Sequence, residues 1–150
     1  MKDLYSNIDV SATYAILPVT GSNGSAPSAI EMDLQGANSA VILIAVGTAG
    51  STPDGSNYWT FTMEHADDDG TGSADSYAAV AAADVQGVTP STGVVLTVDG
   101  AADDDQILKI GYVGGKRFVK ITPAETGTGP DLPQAVILIK GNLLDAPPIS

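Results

Sequence analysis

The chain has 150 residues, no cysteine and a formal net charge of −12, from 18 acidic and six basic side chains. That length fits one domain, large enough to build a core without disulfide or metal staples. A hydrophobic content of 43% is too high for a disordered chain, and the acidity argues against a phosphate-backbone binder, which needs positive charge to displace counterions.

The opening residues, Met1 to Asp9, lack the apolar run of a signal peptide. The longest apolar run, residues 40–46, falls far short of the ~20 residues that span a bilayer. No leader and no membrane contact are therefore expected. Residues 1–12 show no clear pattern, and weak strands are read near 13–17 and 29–34. Asn23-Gly24-Ser25 fits a glycosylation sequon and reads as a turn.

Residues 40–46 are apolar on both parities, as in a strand covered on both faces. Residues 58–65 alternate, with Trp59, Phe61 and Met63 toward a core and Thr60, Thr62 and Glu64 toward solvent. The alanine-rich stretch 77–85 reads equally as a short helix or a strand. Residues 94–98 alternate again, with Val94, Leu96 and Val98 inward. Two β-rich runs, 106–112 and 116–122, flank Gly114-Gly115 and predict a hairpin with a tight primed turn. Residues 135–140 repeat the doubly apolar pattern, and AVILI occurs at both 40–44 and 135–139. Gly, Pro, Asp, Ser and Thr fill the intervening loops.

These elements predict an all-β fold: one antiparallel β-sandwich or barrel, jelly-roll or Ig-like, with seven to eight strands over residues 1–150. Residues 1–12 and 142–150 are read as extended arms. Their apolar side chains, Leu4, Tyr5, Ile8, Leu143, Leu144 and Ile149, either fray or dock on neighbouring subunits.

Catalytic motifs are lacking. The single histidine, His65, closes a strand and reads as a partly buried structural residue. There is no nucleophile elbow, Walker loop or H-E-x-x-H pair. Gly127-Thr128-Gly129-Pro130 lacks the third glycine and following helix of a dinucleotide fingerprint. Most acids fall in loops, where solvated charge is the simplest reading, so no carboxylate pair is assigned to glycoside chemistry. The chain is therefore expected to be no enzyme and to need no cofactor.

Asp67-Asp68-Asp69-Gly70 with Asp75 has the composition of a calcium loop, but the EF-hand frame fails. Placing Gly70 at the turn puts His65 and Ser76 at the end ligand positions. Asp103-Asp104-Asp105 forms a second acidic tip. Solubilising turns or irregular calcium sites are both open, and no metal ligand is assigned. Four of the six basic residues, Lys109, Lys116, Arg117 and Lys120, cluster near the Gly-Gly pair. Such a patch on an acidic chain pairs with acidic loops of its own or of a partner, and steers docking more than it adds affinity.

Several segments resemble small virion proteins of tailed bacteriophages, of the head decoration or capsid cement type. The similarity lies in the opening Met1 to Asp9, in Asp33-Leu34-Gln35-Gly36 leading into Ser39 to Ile44, and in the strand 58–65 running into Ala66-Asp67-Asp68-Asp69-Gly70. The segment Lys109 to Lys120 is the most distinctive match, and Ala135 to Gly141 completes it. The resemblance implies a non-enzymatic protein on the capsid exterior, made in the host bacterial cytoplasm. It also implies the major capsid protein as partner, and homo-oligomers, trimers by analogy. Its expected contacts are the arms, through Leu4, Tyr5, Ile8, Leu143, Leu144 and Ile149, and the basic hairpin, through Lys116, Arg117 and Lys120. A head fibre, neck or tail component is the nearest alternative. A carbohydrate-binding β-sandwich module is a further one, although the lone Trp59 lies in phase with core positions.

Overall fold

The computed structural model describes residues 8–12 and 26–144. They form ten antiparallel strands and no helix: β1 (Ile8–Ala12), β2 (Ile30–Asp33), β3 (Ala37–Val46), β4 (Tyr58–Ala66), β5 (Ala78–Ala79), β6 (Val85–Gln86), β7 (Val94–Val98), β8 (Gln106–Tyr112), β9 (Phe118–Thr126) and β10 (Gln134–Leu143). One sheet runs β1-β10-β3-β8-β6, and the other β2-β9-β4 with β5 and β7 sharing the far side of β4. The expected all-β sandwich is present. The strand count exceeds eight because residues 77–85 are neither helix nor one strand. They hold the two-residue β5 and then a turn, closed by the Ala81 N–H donating to Asp84 Oδ2 at 2.8 Å, before β6 begins.

The core lies between the sheets and follows strand parity. Trp59, Phe61 and Met63 of β4 are fully buried. Ile42, Ile44, Ile110, Val136 and Leu138 are buried on the inner side of the other sheet. Each such side chain removed from water is worth roughly 1.5–3 kcal/mol. The Trp59 indole N–H donates to the Pro130 carbonyl at 2.8 Å, which fixes the loop before β10. Both AVILI segments are central strands, and they pair with each other: Val136 stands opposite Ile44 and Leu138 opposite Ile42.

Three sequence expectations are corrected. The Gly114-Gly115 link is not a hairpin. β8 pairs with β3 and β6, whereas β9 pairs with β2 and β4, so the link is an arch from one sheet to the other. Neither glycine has positive φ. Gly114 is required by proximity, because a Cβ there would lie 2.6 Å from the Tyr112 hydroxyl. Val94 points outward, since the register slips between Phe61 and Thr62; Val94 stands opposite Thr62, and Val95 turns to the core. Finally, β3 and β10 are covered on one face only. Their other apolar parity, Val41, Leu43, Ile137 and Ile139, is half-buried on the outer surface.

The described parts of the expected arms belong to the sheets. Residues 8–12 are the edge strand β1, and Asn142 and Leu143 end β10. Leu4, Tyr5 and Ile149, the sequon at 23–25 and the weak strand near 13–17 lie outside the described residues.

Candidate functional site

The basic segment opens β9. Arg117 Nε and Nη2 donate to the two carboxylate oxygens of Asp33 at 2.9 and 2.8 Å, and Nη2 also reaches Gln35 Oε1 at 2.6 Å. Its Nη1 pairs with Asp68, and Lys116 pairs with Asp67. The guanidinium also lies 4.8 Å over the Phe118 ring. Lys120 bonds Glu64 at 2.9 Å and sits 3.9 Å above the Tyr77 ring, whose hydroxyl donates to Glu31 at 2.6 Å. Lys116, Arg117 and Lys120 are thus neutralised within the chain. They tie β9 to β2, to β4 and to the acidic turn, and this restricts them as partner contacts. Lys109 is exposed and has no ion pair among the described residues.

Electrostatics follow this geometry. The hydrogen bond from Arg117 holds the Asp33 carboxyl below its ordinary range. Asp68 is lowered chiefly by the backbone N–H groups of Gly72 and Gly70, with Arg117 adding to them. Asp69 is lowered by the Thr71 hydroxyl and the Thr71 N–H. Burial raises the Tyr77 phenol, and the carboxylate of Glu31 adds to that.

The acidic turn is organised around its own donors. Asp68 Oδ1 accepts from Gly70 and Gly72, while Asp69 Oδ1 accepts from Thr71 and Ser73. Lys116 and Arg117 supply the countercharge for Asp67 and Asp68. At the other tip, the Asp104 carboxylate accepts the Ala49 N–H at 2.8 Å. Among the described residues, no three His, Asp or Glu side chains converge as metal ligands would.

The fold gathers much of the expected contact set at one end of the sandwich. The β2–β3 turn occupies that end, where Gly36 takes φ 84° and Asp33 Oδ1 accepts the Gln35 N–H at 2.9 Å. Leu143 pairs with Ala37, the Leu144 N–H donates to Gly36 O at 2.9 Å, and Ile8 pairs with Gly141. A hollow of about 380 Å³ separates residues 34–40 from residues 112–117, and Lys116 and Arg117 line it. Two large apolar side chains stand out here, Val113 at 53% exposed and Leu144 at 68%. Lys120 lies farther along β9, paired in register with Glu31 and Glu64.

Val113 was not among the sequence candidates, because it extends the apolar pattern of β8 by one residue. Its exposure follows from the arch, whose Val113 and Gly114 N–H groups both donate to the Asp84 carbonyl. Tyr112 pins the same arch. Its buried ring places the hydroxyl 3.0 Å from His65 Nδ1, and the hydroxyl accepts the Lys116 N–H at 3.2 Å. His65 is therefore a partly buried link between the sheets. Trp59 is fully buried and unavailable to stack on a sugar. No protein-family model, curated protein or solved structure matches the chain.

Proposed function

We propose that this chain is a non-enzymatic capsid decoration, or cement, protein of a tailed bacteriophage. It binds the outer surface of the head as a homo-oligomer and stabilises the lattice of the major capsid protein. The observation that carries this reading is the end of the sandwich just described, where exposed Val113 lines the hollow between residues 34–40 and 112–117 and exposed Leu144 is hydrogen-bonded to Gly36 beside it. Isolated exposed apolar residues are ordinary, but two of them close to one hollow fit a protein partner. The ion pairs of Lys116 and Arg117 hold this rim in place. Binding to the assembled shell across a capsomer junction opposes its opening by mass action. An acidic exterior keeps the protein away from packaged DNA.

The test is co-sedimentation with shells stripped of this protein. The double variant Val113→Asp, Leu144→Asp changes only exposed side chains, so its melting curve should match the parent. Its affinity for shells should fall at least tenfold, about 1.4 kcal/mol. Undiminished binding by a folded double variant refutes the docking end.

A further inference from the structure

β3 outruns one of its two neighbours. It spans Ala37–Val46 and stays paired with β10 as far as Ala37, whereas its register with β8 stops at the Ala40–Tyr112 pair. Beyond Tyr112 the chain turns away from β3. The N–H groups of Val113 and Gly114 both donate to the Asp84 carbonyl, at 2.8 and 3.1 Å, on the β6 side of β8. The line of β8 is therefore vacated beside the first residues of β3, and the hollow of about 380 Å³ opens there. Asn38 and Ser39 are exposed on one of its walls, and Val113 stands on the other.

Alternation shows which backbone groups face this notch. The Val113 N–H bond to Asp84 flanks the Val85–Tyr112 pair, so Tyr112 turns its own N–H and C=O toward Ala40. Two residues before Ala40, Asn38 presents its N–H and C=O to the same side. Asn38 has no strand partner in either register, because the pairing with β10 steps from Ser39 to Ala37. Its side chain is held elsewhere, with Nδ2 donating to the Asn142 carbonyl at 3.2 Å. Open backbone groups on a sheet are a template for another strand.

We propose that the notch receives an extended segment of the major capsid protein, which continues the line of β8 alongside residues 37–39. The inference rests on the decoration reading and names how that partner is held. Backbone chemistry selects an extended peptide, since three residues of strand fill about 10 Å and can bond the Asn38 N–H and C=O. Val113 offers an apolar contact to one of its side chains. An anionic ligand is disfavoured, because the two cations at the hollow, Lys116 and Arg117, are already paired with Asp67, Asp33 and Asp68. A second copy is disfavoured too, because it would bring another −12 toward an end that already carries those three acids.

The experiment is co-sedimentation of the full chain with shells stripped of it, joined to hydrogen exchange read at single residues. Asn38→Pro removes the one N–H offered to the segment, at an exposed and already extended position near the start of β3, so its melting curve should match the parent. Its affinity for shells should fall at least tenfold. Asn38→Ala keeps the backbone and should bind within twofold of the parent. In the parent, the Asn38 amide should exchange at least tenfold more slowly on shells than free. If Asn38→Pro unfolds, that exchange measurement decides alone. A folded Asn38→Pro that binds as the parent does, an Asn38→Ala as weak as Asn38→Pro, or an Asn38 amide that shells leave unprotected overturns the inference while the decoration reading stands. A parent oligomer that Asn38→Pro dissociates in sedimentation equilibrium also overturns it, and gives the notch to a second copy. A parent that binds no shells defeats the decoration reading and this inference with it.

Discussion

Asp33 shows how a single residue holds the end of the sandwich around the β2–β3 turn. Its carboxylate accepts two hydrogen bonds from Arg117 and one from the Gln35 N–H, and its pKa is depressed, with the Arg117 hydrogen bond the largest cause. A carboxyl depressed in the folded state contributes stability above its unfolded pKa and loses it as pH falls through the folded one. Acid should therefore weaken the protein once pH drops below the ordinary carboxylate value of 3.8. Asp33→Asn should be less stable than the parent at pH 7 and lose less on acidification. Urea midpoints from pH 7 down to strong acid measure this, and parallel curves would contradict it. Gln134 is the opposite case. Its side-chain amide is buried, 1% exposed, and neither polar atom has a hydrogen-bond partner among the described residues. An unsatisfied buried amide costs about 1–3 kcal/mol, so Gln134→Leu should raise the thermal midpoint. A lower midpoint would mean that the amide is satisfied by an internal water.

At the scale of elements, parity and composition made most strands legible. β4 alternates cleanly because one side meets the core and the other meets water. β3 and β10 were legible as central strands from their doubly apolar pattern. The partner of each strand was not legible, because pairing depends on contacts remote in the chain. β8 and β9 illustrate this. Two β-rich runs around Gly114-Gly115 carry the local signal of a hairpin, yet tertiary pairing sends them to different sheets. The slip beside Val94 was equally hidden, since a bulge leaves no mark in the alternation of VVLTV. The arch makes a specific expectation. Gly114→Ala would drive a methyl group into the Tyr112 ring, whereas at Gly115 nothing lies within 4 Å of the added carbon. Gly114→Ala should cost about 1–3 kcal/mol by overpacking, and Gly115→Ala much less. Equal losses in chemical denaturation would favour a turn that needs both glycines.

At the scale of the whole molecule, charge and apolar surface are segregated. The basic residues expected to face a partner are mostly spent on Asp33, Glu64, Asp67 and Asp68 of the same chain. The sequence showed the cluster of cations but not their partners, which come from β2, β4 and the acidic turn. The large hydrophobic side chains left exposed among the described residues are Val113 and Leu144 at one end and Ile107 on the outer face of β8. Of the candidate contacts, Leu144 stays exposed, and Ile8 and Leu143 are half-buried strand residues.

The decoration reading is tested most directly by counting copies. Quantitative mass spectrometry of purified virions from the source, scaled to the major capsid protein, gives the number per particle. A shell-wide cement protein should be present in hundreds of copies, in fixed proportion to the capsid lattice. A handful of copies would place the chain at a vertex, neck or tail, and its absence from the particle would contradict the account.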